Sequence, residues 1–190
     1  MIVLPEIHPV AFAIGPLEVR WYGLMYVAGF AVALLLGSKR AGKKYSPLTP
    51  AQFQDLFGYV LVGLIAGARL GYMLFYKSSV FIEDPLEIVK IWHGGMSFHG
   101  GLLGIVVAGF VFARRHHLHI LDLGDLVAPL APPGLFAGRI GNFINGELWG
   151  RPSDLPWAVV FPGPASGVIP RHPSQLYEAF LEGVAWYFIA

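Results

Sequence analysis

The sequence contains no cysteine and few charged residues. The absence of cysteine from 190 residues excludes a disulfide framework, a thiolate metal site and a cysteine nucleophile, so any thiol in the chemistry must come from a substrate. Charged residues make up only 13% of the chain, which is about half of their share in soluble domains. The formal net charge is +1 and no long basic arm is present, which argues against nucleic acid as a partner.

Apolar residues dominate instead. Hydrophobic residues make up 55% of the sequence, and long apolar runs are typical of membrane helices. The runs predict about five transmembrane segments, at residues 21–37, 53–76, 98–113, 126–145 and 174–190. The sequence shows no repeat, no low-complexity tract and no boundary of a soluble domain. The predicted fold is therefore an all-α, polytopic membrane helix bundle that forms a single domain over residues 1–190.

Basic residues between the apolar runs predict the orientation. Four of them follow the first run and two follow the third, namely Lys39, Arg40, Lys43, Lys44, Arg114 and Arg115. Because basic loops stay in the cytoplasm, loops 38–52 and 114–123 are predicted inside. The N-terminus and loops 77–95 and 151–173 are then outside. Residues 1–20 lack the pattern of a signal peptide.

Glycine, proline and one arginine mark the second and fourth runs. Glycines at positions 63, 67 and 71 repeat every four residues and predict a close contact between helices. Three prolines at 129, 132 and 133 predict a broken fourth helix, and broken helices in membranes line cavities. Arg69 lies inside the second run, where both a structural and a functional role are open.

A polar cluster follows the fourth apolar run. Residues 126–137 carry no charge, and the next segment, GRIGNFINGELWG, contains Arg139, Asn142, Asn145 and Glu147. A cation at the edge of an apolar span costs several kcal/mol unless an anion meets it. Arg139 is therefore predicted to bind an anion, and the cluster is interpreted as a binding site.

Histidines and a tyrosine supply further candidates. His99, in the segment HGGMSFHGG, could act as a general base, because histidine is the side chain that commonly exchanges a proton near neutral pH. It could equally satisfy the free donors at a helix start. Tyr22, in WYGLMY, lies at the same predicted membrane level, where aromatic residues are common. Ser174 is predicted to be the N-cap of the last helix. The histidines at 116, 117 and 119 have no further ligand at suitable spacing, so no metal site is predicted.

Five segments together resemble the bacterial prolipoprotein diacylglyceryl transferases. They are RWYGLMY, GARLGY, GGMSFHGG, GRIGNFINGELWG and RHPSQLYE, and the resemblance covers the chain from His8 onward. It implies a protein of the bacterial cytoplasmic membrane that needs no cofactor. Such proteins move the diacylglyceryl group of phosphatidylglycerol to the lipobox cysteine of a prolipoprotein, which is the first step of lipoprotein maturation, and release glycerol phosphate.

The resemblance also implies roles for individual residues. Arg139 would bind the lipid phosphate, His99 would be the base, and Tyr22 would be needed for activity. Asn142, Glu147 and Gly150 match further family positions around the head group. The position of Arg139 and the absence of cysteine agree with these roles. An anionic lipid needs a cation at the depth of its head group, and the nucleophile is a thiol of the substrate.

The sequence departs from the family in two ways, and two alternative functions stay open. The loop after Gly150 is shorter than in some relatives, and the chain ends before helices that carry another arginine and an acidic residue. We therefore expect a C-terminally truncated chain that transfers poorly. One alternative is an anion-conducting or transport bundle, which would show paired halves, although the element at 129–147 has no counterpart. The other is an inactive structural fragment of the transferase.

Overall fold

The computed structural model describes residues 2–15, 17–163 and 166–189. These residues form two compact units. The terminal unit consists of Met1–Leu36 and Val127–Ala190, and the central unit of Gly37–Leu126. The single domain predicted from the sequence stays a prediction.

Most of the described residues are helical. Seven α-helices are present in this part of the chain, which are α1 (Trp21–Ala41), α2 (Pro50–Tyr76), α3 (Ser78–Glu83), α4 (Phe98–Arg115), α5 (Ile120–Val127), α6 (Ala131–Ile144) and α7 (Ser174–Glu178). Three 3₁₀ segments and one π-helical segment accompany them, at Pro85–Val89, Ile91–His93, Ala128–Leu130 and Ala179–Ala185.

Within the described residues, four helical stretches are long and apolar enough to cross a membrane. They are Trp21–Ala41, Pro50–Tyr76, Phe98–Arg115 and Ile120–Ile144. Many apolar side chains on them are exposed, for example Leu103 and Val107 on α4, as expected of surfaces that face lipid. The helical membrane fold predicted from the sequence is confirmed, and four of the five segments correspond to these stretches. The fifth forms α7 and the π-helical segment, which are not among them.

Short strands in the terminal unit were not predicted. Strands β1 (Ile2–Val3) and β4 (Val159–Val160) pair in parallel. Strands β2 (Val10–Ile14) and β3 (Leu17–Arg20) pair antiparallel, and β3 leads directly into α1. Because both sheets have only two strands, they add little to a mostly helical fold.

Helix starts depend on specific caps. Thr49 and Gln52 form a capping box at α2, in which each side chain satisfies the backbone of the other. Ser97 caps α4, because its hydroxyl accepts a hydrogen bond from the Gly100 amide. The prediction that Ser174 caps the last helix is wrong. Pro173 occupies the cap position of α7, and the Ser174 hydroxyl donates to the Leu148 carbonyl instead.

The close helix contact predicted from the glycine repeat joins α2 to α4. A Cβ on Gly63 would overlap the Gly104 backbone, and a Cβ on Gly67 would overlap the Gly100 carbonyl. The helices therefore meet backbone to backbone, as small residues permit in membranes. The contact fixes the rotation of α4 about its axis relative to α2.

The predicted break in the fourth apolar run is also confirmed. The 3₁₀ segment separates α5 from α6, and prolines occupy the first turn of α6. Proline is tolerated at these positions, since the first N–H groups of a helix have no partner within it. The new helix that starts here carries Arg139 and Asn142 toward its end.

Candidate active site

Arg139 lies in the last part of α6 and contacts two carboxylates. Its Nη1 lies 2.8 Å from Glu178 Oε2, and its Nε donates to Glu182 Oε2 at 3.1 Å. A longer hydrogen bond of 3.4 Å joins Nη2 to Glu182 Oε1. The Arg139 side chain is 28% exposed. The two glutamates thus supply part of the negative charge that the sequence predicts beside Arg139. The three side chains together carry one net negative charge.

Asn142 and Glu147 form a second polar pair in the terminal unit. Asn142 is buried, and its Nδ2 donates to Glu147 Oε1 at 3.0 Å. Asn145 donates to the same oxygen at 3.3 Å. Since Glu147 is exposed, its second carboxylate oxygen can accept a hydrogen bond from a ligand.

The turn that carries Glu147 is braced from α7. Gln175, which is 1% exposed, donates from Nε2 to the Glu147 carbonyl at 2.5 Å. Ser174 holds the next carbonyl, that of Leu148, at 2.9 Å. Leu148 has a φ of 57°, a left-handed conformation that is strained for a non-glycine residue. The bracing by Gln175 was missed at the level of sequence, although the segment RHPSQLYE had been singled out.

Gly150 continues this turn and contacts His172. Its amide donates to the His172 carbonyl at 2.9 Å, and an added Cβ would lie 2.9 Å from the His172 Cβ. Any side chain at position 150 would therefore push the two segments apart. His172 continues a hydrogen-bonded chain, because its Nδ1 lies 3.2 Å from the Tyr177 hydroxyl, which accepts from Trp157 Nε1 at 2.7 Å.

Tyr22 is the second residue of α1 and packs against α6. An added Cβ on Gly141 would lie 3.0 Å from the Tyr22 ring, so the glycine makes room for the tyrosine. The Tyr22 hydroxyl lies 3.0 Å from that of Tyr26, and the rings meet edge to face. Tyr26, which the sequence did not single out, is thus bonded to a predicted site residue.

An apolar cavity of about 580 Å³ lies in the same unit. Its lining includes Met25 and Ile140, the sequence neighbours of Tyr26 and Arg139, and extends along α1, α6 and the C-terminal helical segment to Phe188. The cavity therefore lies along the same helices that carry Tyr22 and Arg139. This arrangement suits a ligand that has both a charged and a hydrocarbon part.

His99 belongs to the central unit, as the second residue of α4. It is exposed and packs edge to face on Phe98, with ring centroids 5.6 Å apart. Among the described residues none forms a hydrogen bond with its ring. Since Ser97 satisfies the helix start, His99 does not have that structural role, and its imidazole is available to a ligand.

Arg69, in contrast, is occupied by the protein. It is 3% exposed and donates to backbone carbonyls of the segment between residues 87 and 95. Within the described part of the chain, no group of three or more histidine, aspartate or glutamate side chains could hold a metal ion.

Comparison with known proteins decides the family. The model of the family described as prolipoprotein diacylglyceryl transferase matches residues 9–190. The chain belongs to the prolipoprotein diacylglyceryl transferase family. The resemblance inferred from the five sequence segments is thereby confirmed, and the transport alternative is not favoured.

Relatives within the prolipoprotein diacylglyceryl transferase family match over the whole chain. Proteins named phosphatidylglycerol–prolipoprotein diacylglyceryl transferase from Solidesulfovibrio magneticus and Oleidesulfovibrio alaskensis are each 57% identical over 189 residues. The protein of that name from Methylococcus capsulatus is 54% identical over 190 residues. All three alignments cover 100% of this chain and 71%, 70% and 72% of the respective relatives. Family and apolar helices together identify a multi-pass membrane protein.

Proposed function

We propose that this protein transfers the diacylglyceryl group of phosphatidylglycerol to the lipobox cysteine thiol of a prolipoprotein. The observation that carries the proposal is the position of Arg139, a partly exposed cation at the end of a membrane helix in a chain of this family. The apolar cavity along α1 and α6 supports it, because the acyl chains of a lipid need such a surface beside the site for the head group.

In this proposal Arg139 binds the phosphate of the lipid. Each of its Nη atoms carries a second hydrogen besides the one directed at a glutamate, and a planar guanidinium can hold two phosphate oxygens at once. Glu178 and Glu182 orient the arginine before the lipid arrives and compete with the phosphate for it. Asn142 and Glu147 then lie beside the glycerol end of the head group, where the free oxygen of Glu147 accepts a hydroxyl hydrogen bond.

The transfer itself is a displacement at carbon. The base, assigned to His99, takes the proton of the substrate thiol. The thiolate attacks the glyceryl carbon that is bonded to the phosphate oxygen, so a C–S bond forms while the C–O bond breaks. The electron pair leaves with glycerol phosphate, and Arg139 stabilises the charge that gathers there.

Tyr22 and Gly150 have supporting roles. Tyr22 forms one wall of the site through its contact with Gly141 and shares a hydrogen bond with Tyr26. Gly150 lets the turn of Glu147 approach His172. Substitutions at these two positions are expected to disturb the shape of the site rather than its charge.

A transfer assay tests the function. The purified chain is placed in vesicles that contain phosphatidylglycerol labelled in its diacylglyceryl part, together with a lipobox peptide. Label on the cysteine peptide and release of glycerol phosphate are expected, at a lower rate than with the Solidesulfovibrio magneticus relative, and no label is expected on a peptide that has serine in place of cysteine. The Solidesulfovibrio magneticus relative is the positive control. If the relative is active and the chain conducts anions without labelling the peptide, the proposal fails and the transport alternative replaces it.

We further propose that the protein lies in the bacterial cytoplasmic membrane with its N-terminus outside. The basic residues after α1 support this orientation. Because the chain has no cysteine, single cysteines report on it directly. A membrane-impermeant thiol reagent added from outside is expected to label Glu83→Cys and to spare Lys43→Cys, and the reverse pattern would contradict the orientation.

A further inference from the structure

Arg69 has no part in the proposed chemistry, yet it is the most completely bonded cation described in the chain. Its side chain lies within α2 and is 4% exposed. Nε donates to the Ile88 carbonyl at 3.2 Å, and Nη2 donates to the carbonyls of Glu87 at 2.6 Å and Lys90 at 3.1 Å. Nη1 donates to the carbonyls of Gly94 and Gly95.

The partners of Arg69 indicate a structural role. Five of them are neutral backbone oxygens, and the one carboxylate, that of Glu87, lies 3.5 Å from Nη2, at the outer limit of a hydrogen bond. A guanidinium whose three nitrogens are all directed at carbonyls has no edge left for a phosphate. Arg69 is therefore not a second anion site. It ties an irregular segment to the side of α2.

That segment needs to be held. Gly94 and Gly95 have φ values of 75° and 82°, and the 3₁₀ turns before them have hydrogen bonds of poorer geometry than those of an α-helix. A second bond to α2 follows at once, because the Ser97 amide donates to the Ala68 carbonyl at 2.9 Å. The residue beside Arg69 thus fixes the segment where α4 begins.

The tied segment ends at the first turn of α4. Ser97 is both the residue bonded to Ala68 and the cap of α4, and His99 lies two residues later. We propose that Arg69 is a positioning residue: by fixing the segment from 87 to 97 it sets the place of the His99 imidazole. This inference rests on the proposed function, in which His99 takes the proton of the thiol.

The effect of Arg69 on the mobility of the first turn of α4 can be measured without an activity assay. A nitroxide label at Phe98→Cys, on a side chain that is 78% exposed, reports the motion of the turn. A label at Val111→Cys, near the other end of α4, reports the helix as a whole. In the Arg69→Lys variant we expect the first label to become more mobile and the second to stay as it was, because lysine offers a point charge in place of a fork of donors. Arg115→Lys makes the same exchange at the opposite end of α4, where Arg115 donates to Tyr59, and should leave the first label unchanged.

Measurements of kcat then show whether the effect of Arg69 on transfer depends on His99. Arg69→Lys is expected to lower kcat by about 10- to 100-fold, the size of a small misplacement of a reacting group, with KM for phosphatidylglycerol unchanged. In a His99→Gln background the same substitution should change kcat by less than about twofold, since effects on one pathway do not add.

Each outcome has one meaning. Equal label mobility with and without Arg69→Lys, loss of order at both labels, or fully additive effects in the double variant would each overturn the positioning role. A His99→Gln protein with undiminished transfer would instead overturn the proposed base, whatever the labels show. The label measurement stands even then, because it does not depend on turnover.

Discussion

Two arginines within membrane helices of this protein, Arg69 and Arg139, are bonded in different ways. Arg69 in the central unit is buried and donates to neutral backbone carbonyls. Arg139 in the terminal unit is partly exposed and faces two carboxylate side chains. Backbone carbonyls stay in place when a ligand arrives, whereas glutamate side chains can turn away. The first arrangement is therefore permanent and the second is exchangeable.

This difference separates structural from functional charge in a membrane protein. A cation in an apolar span is a functional hypothesis by default, and by sequence the two arginines look alike. What distinguishes them is the kind of acceptor and the degree of burial. The predictions below test this contrast, beginning with the largest expected effect.

The largest effect is expected from Arg139→Ala. The variant should lose transfer entirely, because Arg139 is the only basic residue on α6 and a developing phosphate charge needs a positioned cation. Arg139→Lys should fail as well, since lysine cannot hold two phosphate oxygens in one plane. Transfer to a lipobox peptide measures both.

Stability of the same samples completes this test. The ion pairs of Arg139 are about a third exposed, so their loss should cost no more than about 1 kcal/mol, and the Tm in detergent should stay close to that of the unchanged protein. An active Arg139→Ala protein at normal stability would remove this residue from the role of phosphate ligand.

Arg69→Ala should lower the stability of the protein more than Arg139→Ala does. It removes the arginine donor from the carbonyls of Ile88, Gly94 and Gly95, and a buried polar group left unpaired costs about 1–3 kcal/mol. We expect a lower Tm and faster amide hydrogen exchange in this segment. A Tm unchanged by Arg69→Ala, or lowered equally by Arg139→Ala, would erase the distinction between a permanent and an exchangeable arginine.

A smaller effect, of opposite sign, is expected from Glu182→Gln. If carboxylates compete with phosphate for Arg139, removing one negative charge about 3 Å away should tighten the binding of phosphatidylglycerol. A single charge at this distance near a surface is worth a few kcal/mol at most, so a decrease of about tenfold or less in Kd is expected. Titration of the variant with short-chain phosphatidylglycerol checks it, with neutral phosphatidylcholine as the control lipid. Weaker binding would mean that Glu182 serves only to orient the arginine.

The smallest effect concerns acid. Hydrogen bonds from His93 and then Lys90 hold the pKa of the Glu87 carboxyl below its ordinary value of 4.5, and Lys90 does the same for Asp84. The stabilisation that these carboxylates contribute is complete above pH 4.5 and is lost as the pH falls through their lower folded pKa values. Amide exchange in the segment at 87–95 should thus rise only in that acidic range. Glu87→Gln should flatten the rise, and an acid response of equal size in this variant would assign it to other groups.

Sequence patterns captured the helices because they depend on local chemistry. The apolar runs, the glycine repeat and the prolines at 129, 132 and 133 each specify a span, a close contact or a break without reference to the rest of the chain. The family segments likewise pointed to the candidates Arg139 and His99. Their roles in transfer remain predictions, which the variants above address.

The bonding partners of these residues could not be predicted from the sequence, for a physical reason. Arg139 meets Glu182 across 43 positions, and Arg69 meets Gly95 across 26. Spacing along one helix says nothing about such contacts. The bracing of the Glu147 turn by Gln175 was missed for the same reason, and the short strands were missed because two-residue pairings have no periodicity to detect.

The contact between α2 and α4 has one more consequence. At Gly67, Gly100 and Gly104 the nearest atoms of the facing helix all belong to its backbone, and at Gly63 they are the Gly104 backbone and the Cβ of Ala108. A long side chain elsewhere in the bundle can escape crowding by changing rotamer, but a single methyl group has no rotamer to change. Alanine at these four positions should therefore be nearly as harmful as leucine, so that tolerance to substitution ends at the first carbon atom instead of declining gradually with size.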